Sequence, residues 1–191
     1  MSLLNNIANY LLSSKESPKS AKQFVPWSQL SKVLILAHDN QLNNVVDFIN
    51  ACQKDTIQVH VAVIYDGKPE QTPKPNFDHS ILDKKQFNFF GIPNQGAIET
   101  LNSKQFNFFG IPNQGAIETL NSKQFDTLIN LGDAEQIKSL AISKLVSAKC
   151  KISHFQNPIF DISIDGDKKT NSSKFLDQVI LYLHMIKTTH K

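Results

Sequence analysis

The sequence contains no arginine, because all 20 of its basic residues are lysine, and 17 acidic residues leave a formal net charge of +3. Arginine supplies the planar fork that binds phosphate, carboxylate or guanine through two hydrogen bonds at once. The lysines are also scattered, so they form no basic stripe with aromatic residues between them. We therefore expect no nucleic-acid partner for this chain.

Cysteine is scarce and long hydrophobic runs are missing. The two cysteines, Cys52 and Cys150, are too few for a disulfide framework and are expected to be free thiols of a reducing compartment. No run approaches 18 apolar residues, which excludes a transmembrane helix, and the first residues lack the cationic region of a secretory signal. These absences predict a cytoplasmic protein.

The glycine-rich and metal-binding motifs of common enzymes are also missing. No G-x-G-x-x-G follows the first predicted strand, where the sequence reads His38-Asp39-Asn40-Gln41. There is no phosphate-binding loop, no G-x-S-x-G turn, no C-x-x-C pair and no H-E-x-x-H pair. We therefore expect no cofactor and no metal site. Cys150 lies between two lysines that could lower its pKa, but its place in a predicted strand favours a buried, inert thiol.

Short apolar runs alternate with amphipathic segments through most of the chain. The spacing predicts strands over 33–37, 57–65, 125–131, 149–155 and 160–165, with a shorter fragment over 79–82. Helices are predicted from Asp39 or Asn40 to about Cys52, from Asp133 to Ser147, and from Asn171 or Ser172 onward. This alternation is typical of a three-layer α/β fold with a mostly parallel, doubly wound and Rossmann-like sheet of about five strands.

The first residues follow a different pattern. Apolar side chains recur at helical spacing, which predicts a short amphipathic helix that docks on the domain or on a second subunit; they are Leu3, Leu4, Ile7, Tyr10 and Leu11. We assign residues 1–31 to this helix and its linker, and 32–191 to a single α/β domain. Phe24 and Trp27, at the end of the linker, are expected to pack into the core.

The centre of the chain contains two identical copies of a 19-residue segment. Residues 85–103, the first copy, read KQFNFFGIPNQGAIETLNS, and residues 104–122, the second copy, read the same. True repeat proteins diverge between copies and need about three units to bury a core. Residues 123–125 repeat Lys-Gln-Phe, so a recent in-frame duplication, an engineered one or an assembly artefact explains the pattern. We expect one copy to fill the native place, and the other to be extruded, to lie over the surface or to mediate self-association.

With one copy removed, the chain resembles a family of small bacterial proteins, common in Bacteroidota, that is known only as a domain of unknown function. The resemblance covers roughly positions 20 to 188, and the matching residues include Phe90-Gly91-Ile92-Pro93, Phe125-Asp126, Leu128-Ile129, Leu131, Ala148-Lys149, Lys151, Phe160-Asp161, Ile164, Tyr182-Leu183 and Ile186. It implies the α/β fold and no particular activity. Asn130 stands where the family usually has Asp, and Ser153-His154 where it often has Gly-Arg.

In open α/β sheets, ligands bind beyond the carboxyl ends of the strands. The polar residues predicted to lie there form our candidate ligand site: His38, Asp39, Asp66, Asn130, Asp133 and His154. Asp and Asn at strand ends also cap helices and form turns, so a purely structural role competes with this interpretation. The sequence favours a non-catalytic binding or self-associating module, and a homo-oligomer is one possible form. The alternative is a transferase-like enzyme that binds a nucleotide or nucleotide-sugar at this site.

Overall fold

Six parallel strands form the main sheet of the protein in a computed structural model, which describes residues 23–83, 87–88, 111–112, 114–164 and 171–186. In spatial order the strands are β3 (His79–Leu82), β2 (Gln58–Ile64), β1 (Lys32–His38), β6 (Phe125–Asn130), β7 (Ala148–Ser153) and β8 (Ile162–Ser163). The predicted α/β fold is confirmed, with one strand more than expected because the fragment at 79–82 pairs with β2. The predicted N-terminal helix lies outside the described residues.

Within the described residues, four α-helices cover the two faces of this sheet. They are α1 (Val46–Lys54), α2 (Gln114–Asn121), α3 (Ile137–Leu145) and α4 (Ser172–Met185), and short 3₁₀ helices span Trp27–Gln29, Asp39–Val45 and Pro69–Gln71. The first core, on one face, holds apolar residues of α1 and α4, and the second core, on the other face, holds those of α2 and α3. The sheet is therefore wound on both sides. No described helix combines the length and the apolarity needed to cross a bilayer.

The central strand β1 explains why both faces must be covered. All five side chains from Val33 to Ala37 are 0% exposed, and they alternate between the two cores. A strand inside a parallel sheet can be apolar throughout only when helices cover both of its faces. Burying each of the four larger side chains, Val33 to Leu36, contributes about 1.5–3 kcal/mol relative to leaving it in water.

Helix starts differ from the sequence expectations at two of three places. Asn171 caps α4 as predicted, since its side chain accepts a hydrogen bond from the backbone N–H of Ser173 at 3.2 Å. The expectation for Asp39 was wrong, because the chain first forms a 3₁₀ helix and α1 begins only at Val46. The expectation for Asp133 was also wrong, because α3 begins at Ile137 after a turn in which the Gln136 side chain accepts the Asp133 N–H at 2.9 Å.

The residues that precede β1 join the first core. Trp27 is buried as expected, and its indole N–H donates to Asp55 Oδ2 at 2.7 Å. Its ring also stacks on that of His184 near the end of α4, with the centroids 4.9 Å apart. The expectation for Phe24 was wrong, because that side chain is 56% exposed. The indole is therefore the group that fastens the incoming chain to the edge of the sheet at which the parallel strands begin, which we call the amino edge.

A second, two-stranded sheet involves the repeated segment. Strand β4 (Phe87–Asn88) belongs to the first copy and pairs antiparallel with β5 (Ile111–Pro112), which belongs to the second copy. Helix α2, which packs its Ala116 and Leu120 into the second core, also belongs to the second copy. The connection from β4 to β5 spans residues 89–110, whereas the same pairing within one copy would need only the three residues Phe-Phe-Gly.

Removing one copy should therefore keep the fold and increase its stability. Because the copies are identical, deleting 85–103 and deleting 104–122 produce the same 172-residue chain. Shortening the connection from 22 residues to three lowers the entropy cost of loop closure, which predicts a gain of about 1–2 kcal/mol. Urea unfolding followed by circular dichroism measures the change. Loss of cooperative unfolding after the deletion would contradict the assignment of the surplus residues to a connection.

Candidate functional site

The carboxyl ends of β1, β2, β6 and β7 lie along one edge of the sheet, which we call the carboxyl edge. The spatial order of the strands reverses between β1 and β6, whose chain continuations leave toward opposite faces. Ligand clefts of open α/β sheets lie at such a reversal. All six candidate residues follow or end these strands, so the structure brings the predicted site to one edge.

Asn130 ends β6 inside the protein. It is 0% exposed, and its Oδ1 accepts the backbone N–H of Gly132 at 2.9 Å. Its Nδ2, which can donate two hydrogen bonds, has no hydrogen-bond partner among the described residues. A buried donor without a partner costs about 1–3 kcal/mol. The oxygen of this amide is therefore bonded to the following turn, whereas its nitrogen has an unused hydrogen-bonding capacity.

His38 ends β1 on the same face of the sheet. Leu36 is in register with Asn130, and its side chain lies in the second core, so alternation places His38 one step further along that face. Its ring Nε2 is buried and, within the part of the chain that the structure describes, has no hydrogen-bond partner. Two unpartnered polar atoms thus belong to neighbouring strands at the reversal.

Charged groups around His38 are mostly acidic. Burial lowers the pKa of His38, and the nearby carboxylates of Asp66, Asp39 and Asp133 oppose that shift while Lys138 adds to it. Because burial dominates, the folded state favours the neutral imidazole. The ring can then present Nε2 either as a donor or as an acceptor, depending on its tautomer.

Two of the acidic residues at this edge have basic side chains as partners. Asp66, which follows β2, pairs with Lys138 of α3, and Asp133 pairs with His154, whose Nε2 lies 3.2 Å from Oδ1. Both carboxylates are more than half exposed, at 53% and 73%. Pairs of this exposure stabilise a fold by at most about 1 kcal/mol. Their main effect at this edge is to occupy carboxylates that could otherwise act as bases.

Gln41 connects the two sides of the reversal. Its Nε2 donates to the carbonyl of Leu131 at 2.9 Å and to Ser172 Oγ at 3.1 Å, and its Oε1 accepts the His38 N–H at 2.9 Å. The side chain therefore joins the turn after β1 to the end of β6 and to the start of α4. In dinucleotide-binding folds a glycine-rich turn leaves this space for a pyrophosphate.

Sequence reasoning missed Gln41 and Lys138. Gln41 stands beside the predicted cap residues, and only its contacts across the sheet reveal its role. Lys138 lies 72 positions from its partner Asp66, so no local pattern could connect them. Asp165 and Asp167, at and just beyond the end of the strand predicted over 160–165, lie outside the described residues.

Other candidate groups have structural roles. The Cys150 thiol is buried as expected, and burial raises its pKa to about 12, as it does for Cys52. Lys151 is buried beside Cys150, and burial lowers its pKa to about 8. Its Nζ donates to the carbonyl of Ser143 at 2.7 Å, which ties β7 to the end of α3.

The opposite, amino edge of the sheet shows what a purely structural polar group looks like. Asp126 Oδ2 accepts the backbone N–H groups of Ser31 and Lys32 at 2.8 and 2.9 Å, and its Oδ1 pairs with Lys149 at 2.7 Å. Although burial raises the pKa of Asp126, the hydrogen bonds from Lys149, Lys32 and Ser31 hold it below its ordinary value. Both of its oxygens are used, in contrast to the amide of Asn130.

Two cavities among the described residues are lined by none of the six candidate residues. One, of about 370 Å³, is lined by Trp27, Asp55 and His184 near the amino edge, and the other, of about 490 Å³, lies between β3 and α2. No group of three or more metal-ligating side chains occurs among the described residues. The candidate residues and these two cavities therefore do not coincide.

Gly132 is required by the packing of the turn after Asn130. A Cβ at this position would lie 2.4 Å from Ser139 Oγ and 2.6 Å from Gln136 Oε1. Gln136 lies in the turn that leads into α3, and Ser139 lies in the first turn of that helix. The exposed Gly115 of α2 offers a matched control, since alanine favours a helix there by about 1 kcal/mol. Gly132→Ala should destabilise the protein by about 1–3 kcal/mol.

Thermal and urea unfolding of the two glycine variants measure this difference. Gly115→Ala should leave stability unchanged or raise it. If Gly132→Ala were as stable as the original chain, the close packing of this turn would be contradicted.

Comparison with known proteins gives a family match and no activity. Residues 93–186 match the model of a family of unknown function (DUF6913). No curated protein gives a significant match to the chain. The matched part begins in the first copy and includes α2, β6, α3, β7, β8 and α4, so it contributes Asn130, Asp133 and His154 to the site but not His38, Asp39 or Asp66. The carboxyl-terminal half of this chain is therefore similar to a family of unknown function.

Proposed function

We propose that this protein is a non-catalytic binding module that holds a small, uncharged polar ligand at the carboxyl edge, between β1 and β6. The observation that carries the proposal is the pair of buried, unpartnered polar atoms there, Asn130 Nδ2 and His38 Nε2. Buried polar groups in proteins nearly always have partners, so two such atoms on neighbouring strands indicate a group that binds from outside. A ligand acceptor, such as a carbonyl or hydroxyl oxygen, would satisfy the Asn130 amide.

The local charges favour an uncharged ligand. Three carboxylates, those of Asp39, Asp66 and Asp133, act on His38 against the one ammonium of Lys138. A phosphate or carboxylate would meet net repulsion there, and the neutral state of His38 offers it no charge. The lack of arginine removes the usual fork for such groups.

The same arrangement argues against catalysis. The carboxylate of Asp66 is paired with the ammonium of Lys138 and that of Asp133 with the His154 ring, so neither carboxylate is free to act as a base. Gln41 bridges the reversal, which narrows the space that a large substrate would need.

The nucleotide-binding enzyme remains the alternative. The six strands of the main sheet, numbered along the chain, follow the order 3-2-1-4-5-6, which is the order of dinucleotide-binding Rossmann folds. That likeness supports a Rossmann-like description of the sheet. Fold alone does not determine function, and the site lacks the glycine turn and the basic residues that phosphates need.

A thermal-shift experiment with paired compounds separates the two proposals. Each uncharged compound is tested beside a phosphorylated relative, for example glucose beside glucose 6-phosphate, and uridine beside UDP and UDP-glucose. We expect uncharged members to raise the melting temperature more than their phosphorylated relatives, because bound ligand stabilises the folded state. Asn130→Asp keeps the acceptor for Gly132 but removes the amide donor, and should abolish the shift.

Thr127→Val is the matched control for that variant. Thr127 lies on the same strand, is 0% exposed, and its hydroxyl also has no partner among the described residues, but it lies away from the carboxyl edge. Ligand shifts should persist in Thr127→Val. Stabilisation only by the nucleotides would favour the enzyme, and a shift that survives Asn130→Asp would remove Asn130 from the site.

Self-association is a second candidate function, favoured by an exposed apolar row on α4. Leu181, Tyr182 and Met185 are 62%, 44% and 68% exposed, and they lie three to four positions apart or adjacent on the outer side of that helix. Exposed apolar patches of this kind mark interaction surfaces, and a second copy would bring the same row to meet it.

Sedimentation velocity across a concentration series tests this second candidate. Leu181→Glu combined with Met185→Glu should shift the protein toward the monomer without unfolding it, because both side chains are exposed. Gln178→Glu, an exposed polar position on the same helix, controls for added charge. A protein that is monomeric at every concentration, or one whose association survives the double substitution, would refute self-association through α4.

A further inference from the structure

The structure assembles one folded unit from two identical segments. Strand β4 comes from the first copy, while β5 and α2 come from the second, with Phe87 opposite Pro112 and Asn88 opposite Ile111. Ile111 and Pro112 are the second-copy equivalents of Ile92 and Pro93, 19 positions earlier. The observed pairing therefore joins the same two short sequences that could pair within one copy.

Identical sequence allows the same unit to be built in three further ways. Residues 106–107 could replace 87–88 opposite β5, which moves the surplus residues to the connection from β3. A pairing of 87–88 with 92–93 could keep α2 in the second copy, which moves the surplus to the connection into α2. Alternatively, the same pairing could be followed by residues 95–102 in place of α2, which moves the surplus to the connection into β6. In the last case Asn102 would take over the bonds of Asn121, which now donates to the carbonyl of Leu145 at 3.4 Å and accepts the Ser147 N–H at 2.7 Å.

Only loop closure distinguishes these four arrangements. Their contacts are made by identical side chains, and each arrangement contains one connection of 20 to 23 residues beside short ones of one to four. Because closure entropy depends only on the logarithm of loop length, the weights of the arrangements differ by less than about tenfold. The connections therefore exclude none of the four.

We propose that the two copies exchange in one structural place, so that either copy can supply β4 and either can supply the helix over the second core. The chain then carries a spare for each of these elements. This redundancy concerns the architecture around the second core and is independent of the ligand proposed for the carboxyl edge.

Leucine-to-alanine substitutions in the two copies test the exchange. Leu120 of α2 is 1% exposed in the second core, and Leu101 is its first-copy equivalent. In a fixed arrangement, Leu120→Ala alone would raise the unfolding equilibrium constant about 30-fold or more, as buried leucine truncations do. With exchange, each single variant should raise it by about fourfold or less, while the double variant shows the full effect.

The single-copy chain supplies the reference for that experiment. In the 172-residue protein that remains after deletion of 104–122, Leu101→Ala has no spare and should show the full loss. The proposal is overturned if Leu120→Ala alone destabilises the complete chain as much as the double variant does.

Cysteine pairs provide a second test at the level of the strands. Asn88→Cys with Ile111→Cys probes the observed pairing, and Asn107→Cys with Ile111→Cys probes the exchanged one, in identical surrounding sequence. Opposed residues of an antiparallel pair approach within the range of a disulfide. The native thiols of Cys52 and Cys150 are buried, with pKa raised to about 12, so they do not compete.

Mild oxidation followed by peptide mapping should detect both engineered disulfides in comparable yield. Cross-linking of the 88–111 pair alone would overturn the exchange of strands. Failure of both pairs would contradict the ladder on which the proposal rests.

Discussion

Strand β1 is paired along both of its edges and buried on both of its faces, and the rest of the structure depends on this position. Its register with β2 covers all seven residues from Lys32 to His38, and β6 pairs on its other side from Val33 onward. Helices must then cover both faces, which produces the two cores. Because β1 is central, the strand order reverses beside it, and its last residue, His38, lies at that reversal.

The polar side chains at the two ends of β1 and β6 differ in how fully they are hydrogen-bonded. At the amino edge, Asp126 uses both oxygens to fasten the start of β1 and the start of β7. At the carboxyl edge, Asn130 bonds the following turn with its oxygen while its nitrogen has no partner among the described residues. The proposed ligand site rests on this difference: both Asp126 oxygens have partners at the amino edge, whereas the Asn130 nitrogen at the carboxyl edge has none among the described residues.

The sequence predicted the parts of the fold that depend on local pattern. The run 33–37 and the alternation after it were sufficient for the α/β fold, and strand ends were sufficient to bring six polar residues to one edge. Helix starts were less predictable, because the side chains of Gln41 and Gln136 shape the turns where Asp39 and Asp133 were expected to act as caps. Contacts between distant residues, such as Asp66 with Lys138, and the unused nitrogen of Asn130 follow only from packing.

The repeated segment shows the same division. Its identity was visible in the sequence, but that β4 and β5 come from different copies follows only from the backbone pairing. Local physics is the same for both copies, so no property of the segment itself could decide which one supplies each element. The length of the connections is the only term that distinguishes them.

The central claim is that Asn130 and His38 bind a ligand from outside. The most direct measurement is nitrogen-15 NMR of the Asn130 side-chain amide and the His38 ring during titration with the uncharged compound that most raises the melting temperature. We expect the nitrogen-15 chemical shifts of both groups to change over the same range of ligand concentrations, with little change at Thr127. Shifts confined to residues around Trp27, or a silent Asn130 amide at saturating ligand, would contradict it.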